Sequence, residues 1–176
     1  MTARSAATVP AMAETLQGRL RALAKAHELV QPAISAGPQA PETGSLSALI
    51  EDILRPHTED QSRVSLSGPL VEIGLKASTS LALILHELAT NAAKYGALST
   101  PDGLIALELS VSPGAPGSLV EIRWTETGLN VCEPPNKTGF GSRLIERITR
   151  HELSGTLTAD YPKSGAVYCL RFPLPD

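Results

Sequence analysis

The sequence predicts an α+β fold, a two-layer α/β sandwich with helices on one side of a largely antiparallel sheet. Two observations carry that prediction. Ile105, Leu107, Leu109 and Val111 alternate with polar residues, as do Val120, Ile122 and Trp124, which is the pattern of half-buried strands. Helical patterns flank these segments, at about 77–95 and 142–153. Composition agrees: 176 residues with 42% hydrophobic and 19% charged content describe a globular chain with one sizeable core.

The elements follow in order. Thr8 and Pro10 suit a helix start, since proline at the first helical position loses no hydrogen bond. Leu16, Leu20, Leu23, His27 and Val30 then recur at spacings of four and three, an apolar seam that asks for a second helix or the body of the domain. His27 lies on the seam and is expected to be packed or capped. The stretch 31–45, QPAISAGPQAPETGS, is punctuated by Pro32, Gly37, Pro38 and Pro41 and reads as a linker. LSALIEDIL (46–54) is a short amphipathic helix stopped by Pro56. RVSLSG (63–68) and LVEIGL (70–75) read as short strands meeting at a Gly68-Pro69 turn. A long helix covers about 77–95, two alternating strands cover 104–111 and 119–126, and a Gly/Pro-rich loop covers 127–141. A helix at about 142–153 and strands at 156–161 and 166–172 complete the chain.

Bulk properties exclude several classes. A net charge of −3 offers no basic stripe for nucleic acid. Cys132 and Cys169 stand in unrelated contexts, so no disulfide framework or metal knuckle is implied, and a reducing cytoplasm is the expected setting. No apolar run reaches the roughly 18–20 residues that span a bilayer.

Three patches carry chemistry. In HELATNAAKYGAL (86–98), Glu87, Asn91 and Lys94 fall on one helical stripe at spacings of four and three. Alone, such a stripe is a solvated face. Against a ligand, its oxygens suit a hard cation such as Mg²⁺ and its ammonium suits phosphate. In WTETG (124–128), Glu126 stands where a strand becomes a loop, and Gly128 permits close backbone approach. In TGFGSRLIE (138–146), Gly139 and Gly141 precede a helix whose free N–H groups suit an anion. Trp124 alternates with Val120 and Ile122 and is read as core.

Together the patches resemble the N box and the two glycine boxes of the GHKL-type (Bergerat) ATP-binding fold. More narrowly, His86 opening the N box and the W-x-E of Trp124 and Glu126 resemble the HWE family of bacterial sensor histidine kinases. RLRALAKAHELV (19–30) resembles the second dimerisation helix of that family. The resemblance implies a partial dimerisation domain over 1–36, a linker over 37–45 and an ATP-binding catalytic domain over 46–176. It makes Asn91 the Mg²⁺ ligand and Glu87 the group that polarises a proton or water near the γ-phosphate, with a possible water-mediated link to the metal. Lys94 and Tyr95 would contact phosphate or ribose. Glu126 would accept from the adenine amine, with Gly128 leaving room for the ring. Gly139, Phe140, Gly141 and Ser142 would meet the phosphates, and Leu129 to Thr138 would form a mobile lid. His86 is read as catalytic or as a hydrogen-bonded structural residue.

The implied cofactors are ATP and Mg²⁺, and the implied partners are a response regulator and a second kinase subunit. One departure matters. The H-R-x-K-N-like phrase that carries the phosphoacceptor histidine in this family is absent, and His27, His57 and His151 do not match it. The chain therefore reads as a truncated piece of a longer kinase. A GHKL serine kinase or ATPase, and a nucleotide-responsive interaction module without kinase activity, are the competing functions.

Overall fold

The structure, a computed structural model, describes residues 9–35, 43–58, 60–114, 117–129 and 140–174. Four helices, α1 (Val9–Ser35), α2 (Leu46–Leu54), α3 (Leu75–Tyr95) and α4 (Phe140–His151), accompany seven strands. The strands are β1 (Thr43–Ser45), β2 (Val64–Ser67), β3 (Glu72–Gly74), β4 (Leu104–Pro113), β5 (Ser118–Thr127), β6 (Thr156–Asp160) and β7 (Gly165–Leu174). The main sheet has the order β2-β4-β5-β7-β6, parallel at β2–β4 and antiparallel elsewhere.

The central strands alternate as expected except at Val111, which is 42% exposed near the free end of β4. Ile105, Leu107 and Leu109 of β4, Val120, Ile122 and Trp124 of β5, and Leu170 and Phe172 of β7 are all buried in one core. The opposite face is polar, and there Glu121 pairs with Arg171 and Arg123. Helices cover the apolar face: Leu81, Ile84, Leu85 and Leu88 of α3, Leu49, Ile50 and Ile53 of α2, and Ile145 and Ile148 of α4 join the same cluster. One face apolar and one wet is the economy of a two-layer sandwich. Ser45 caps α2 by accepting from the Ala48 N–H at 3.4 Å. Gly96 closes α3, its N–H donating to the carbonyls of Asn91 and Ala92.

Three expectations are corrected. Val64–Ser67 and Glu72–Gly74 do not pair as a hairpin about Gly68-Pro69. β2 instead joins β4 in parallel, and β3 pairs antiparallel with β1. Val64 and Leu66 pack against the core from the sheet edge, whereas Val71 and Ile73 are buried with it under a different pairing, so each segment finds its own partner. The linker is shorter than 31–45: α1 continues to Ser35 and Thr43–Ser45 is a strand. Its remainder lies outside the described residues. Finally, α1 packs on α3 through small residues, with Ala22 and Ala26 buried, while the seam residues Leu16 and Leu20 are 58% and 57% exposed and His27 is exposed. Small side chains allow closer helix approach than leucines, and that closeness decides which face turns inward.

Candidate functional site

The polar stripe of α3 is graded by depth. Glu87 is buried, Asn91 is half-buried, and Lys94 and Tyr95 are exposed. A buried carboxylate demands partners. Arg19 of α1 supplies one, its Nε donating to Glu87 Oε1 at 2.7 Å. The other oxygen faces α4: a Cβ built on Gly141 would lie 2.4 Å from Glu87 Oε2. The first turn of α4 therefore rests on this carboxylate only because residue 141 has no side chain. Two motifs 54 positions apart, Glu87 and Gly141, meet here. Ser142 is exposed in the same helical turn, where backbone N–H groups lack intrahelical partners. The Asn91 amide and the Lys94 ammonium have no hydrogen-bond partner among the described residues. Phe140 opens α4, with its side chain outside the described residues; Gly139 and most of the proposed lid lie outside them as well.

Glu126 sits just beyond the C-terminal end of α3, beside Gly96 and Ala97. It is not a solvent-facing strand end but is 3% exposed. The Ala97 N–H donates to Oε2 at 2.8 Å, and the Trp124 indole N–H donates to Oε1 at 3.1 Å. Burial raises its pKa above the usual carboxylate range, and these two donors act against that rise. Trp124 is core, as expected, and it also holds this carboxylate.

Gly128 is in the left-handed region at φ 78°, which favours glycine. The space beside it is taken by the chain itself, since a Cβ there would lie 2.4 Å from the Asp102 carbonyl oxygen. Glycine at 128 thus permits close contact with the Asp102–Gly103 backbone.

Arg63 belongs to none of the three motifs. Its guanidinium donates to the carbonyls of Gly103, Ala97 and Thr100 at 2.9, 3.0 and 2.5 Å. It thereby organises the 96–103 loop that presents the Ala97 N–H to Glu126. A single arginine ahead of a short strand gives no periodic signal, so only the tertiary structure identifies it.

His86 is half-buried. Its ring lies 5.5 Å from that of His57, centroid to centroid, and a Cβ on Gly18 would fall 2.5 Å from its Nε2. Burial lowers the pKa of both histidines; His57 is further lowered by His86, whereas Glu87 raises that of His86 against Arg19 and Lys94. His86 forms part of the α1–α3 junction.

Residues 1–70 match the family model described as HWE histidine kinase. The chain is 31% identical over 174 residues to the blue-light-activated histidine kinase of Brucella anthropi, covering 98% of this chain and 34% of that protein. It is 30% identical over 158 residues to the blue-light-activated histidine kinase of Brucella ovis, covering 89% of this chain and 31% of that protein. The chain thus spans about a third of the length of the curated relatives it matches. Among solved structures, the histidine kinase domain of the Erythrobacter litoralis blue-light-activated histidine kinase superposes with a TM-score of 0.74 at 20% identity, over 94% of this chain and 77% of that one. The catalytic domain of histidine kinase ThkA superposes with a TM-score of 0.55 at 17% identity, over 76% of this chain and 97% of that one. The fold is therefore that of histidine kinase catalytic domains, and residues 1–70 carry the match to the HWE histidine kinases.

Proposed function

We propose that this chain is the ATP-binding catalytic domain of a two-component sensor histidine kinase. In this reading it moves the γ-phosphate of ATP to a histidine outside this stretch, from which a response-regulator aspartate receives it. The observation that carries the reading is the meeting of Glu87 with Gly141, which brings a carboxylate–amide stripe against the open N–H groups of a helix start.

The residues fit a nucleotide with its cation. Asn91, half-buried and without a hydrogen-bond partner among the described residues, would hold Mg²⁺. The described residues contain no group of three or more His, Cys, Asp or Glu that could hold a metal by itself. One amide plus one nearby carboxylate suits a cation that takes most of its ligands from phosphate and water. When bound, Mg²⁺–ATP supplies the transferable phosphoryl group together with a charge that neutralises it. Lys94 and Tyr95, both exposed, meet phosphate or ribose. The N–H groups at Phe140, Gly141 and Ser142, with Gly139 before them, receive phosphate oxygens. Glu126 accepts from the adenine amine through the lone pairs that Trp124 and Ala97 leave. Glu87 orients a proton or water, with one oxygen shared with Arg19.

Residues 1–36 act as part of a dimerisation domain, residues 46–176 as the catalytic domain, and a second subunit docks through the N-terminal helix. The setting is cytoplasmic; no helix among the described residues is long and apolar enough to cross a membrane. Calorimetry with Mg²⁺–ATP tests the proposal. Asn91→Ala is expected to abolish binding while the circular dichroism spectrum and unfolding midpoint stay unchanged. Unaltered affinity in that variant would exclude the assigned site.

A further inference from the structure

The W-x-E phrase has a physical basis beyond the carboxylate itself. Trp124 and Glu126 are two apart on β5 and point to the same, inner face. Across the sheet, Glu126 stands opposite Ile105 and Ala166, an apolar setting that offers a carboxylate nothing to bond. Its two donors come from elsewhere: the indole N–H of Trp124 on one oxygen and the Ala97 N–H on the other. The second contact needs room. A Cβ on Gly96 would lie 2.0 Å from Glu126 Oε2, so the carboxylate reaches the end of α3 only because residue 96 is glycine. The Ala97 N–H is the first beyond the α3 cap, where the Gly96 N–H closes the helix, so it is open to an outside acceptor. A buried indole, in turn, needs an acceptor for its N–H. Residues from β5 and from the α3 terminus thus complete one another.

We propose that Trp124 and Gly96 are positioning residues that hold the Glu126 carboxylate in one orientation and so set the preference for an amino-purine over an oxo-purine nucleotide. This rests on the adenine-binding reading of Glu126 given above. Neither residue is asked to touch the ligand. Trp124 fixes one oxygen, Gly96 admits the other to the Ala97 N–H, and each oxygen keeps a lone pair with which to accept a ligand N–H. Burial raises the Glu126 pKa, and the two donors act against that rise by favouring the ionised carboxylate.

The test uses the full chain with ADP and GDP in the presence of Mg²⁺. Trp124→Phe keeps an aromatic ring in the core and removes the donor. It is expected to weaken ADP binding by about tenfold and GDP binding much less, the size of one hydrogen bond to a charged group. The weakening should begin at higher pH than in the wild type, because the undonated carboxyl protonates more readily. Gly96→Ala, which displaces the same carboxylate from the other side, should lower the ADP-to-GDP ratio in the same direction. If the wild type binds ADP and Trp124→Phe retains both its affinity and its ADP-to-GDP ratio, the positioning role is overturned while the nucleotide site stands. If the wild type binds neither nucleotide, the site reading itself has failed, and the positioning role with it. A further measurement does not depend on any Trp124 variant being folded. The chain has one tryptophan, so its single indole N–H resonance can be followed by NMR. That resonance should titrate with Glu126 and move on Glu126→Ala, and an indole signal indifferent to both would also overturn the role.

Discussion

Replacing Arg63 with methionine keeps the aliphatic stem and deletes a guanidinium that serves three carbonyls of the 96–103 loop. The three losses are unequal. The Ala97 carbonyl still accepts from the Thr100 N–H at 3.2 Å, and the Thr100 carbonyl keeps a long bond from the Gly103 N–H at 3.5 Å. The Gly103 carbonyl accepts only from Arg63 among the described residues, and Gly103 is buried. One orphaned carbonyl costs about 1–3 kcal/mol and two weakened ones less. The expected total is therefore about 2–3 kcal/mol, since Arg63 is itself only half-buried and part of its hydrogen bonding is recovered by water. At roughly 2–4 °C per kcal/mol for a chain of this size, the unfolding midpoint should fall by about 4–12 °C. Urea denaturation measures the free energy and calorimetry the midpoint. Nucleotide binding gives a second readout, because the same loop presents the Ala97 N–H to Glu126: the ADP-to-GDP ratio should fall even at temperatures where the variant is fully folded. A loss of stability under about 0.5 kcal/mol would refute the reasoning, showing that this loop does not depend on the arginine.

Two further expectations concern the α1–α3 junction. The Arg19–Glu87 pair is 17% and 9% exposed on its two sides, deeper than a surface bridge, so a double-mutant cycle of Arg19→Met and Glu87→Gln in urea should give a coupling of about 1 kcal/mol; additive losses would show that α1 docks without the ion pair. His57 and His86 have pKa values pushed below their ordinary 6.5 by burial, so the unfolded chain takes up protons first as pH falls. Stability should therefore decline as pH drops below about 6.5 and level off once the folded histidines protonate as well; His57→Phe should flatten that decline, and an unchanged pH profile would remove the pair as its source.

Much of the architecture is local and therefore legible. The alternation in 104–111 and 119–126 predicts strands because the side-chain period of a strand is two, whatever it pairs with. The helix carrying Glu87, Asn91 and Lys94 is set by its own periodicity, as is the short helix ending before Pro56. Pairing is another matter. Gly68-Pro69 announces a change of direction, but nothing in those two residues says that β2 will choose β4 and β3 will choose β1. The N-terminal helix shows the same limit. It has a leucine seam and a small-residue face, both at helical spacing, and the sequence favours the more hydrophobic of the two. Gly18, Ala22 and Ala26 face the body instead, because only they let α1 come close enough to touch His86 and place Arg19 on Glu87.

The site divides along the same line. From the sequence alone come the α+β class, the polar stripe of α3, the strand-end Glu126, the glycines before α4 and the family resemblance they carry together. Each is a short-range pattern, readable because helices and strands repeat their side-chain directions within a few residues. Only the tertiary structure decides that Glu87 is clasped between Arg19 and Gly141, that Glu126 is buried between Trp124 and Ala97, that the space beside Gly128 belongs to Asp102, and that Arg63 ties the connecting loop. These contacts join residues tens of positions apart. They depend on which faces pack and how closely, and a linear pattern does not encode distance between elements that are not neighbours in the chain.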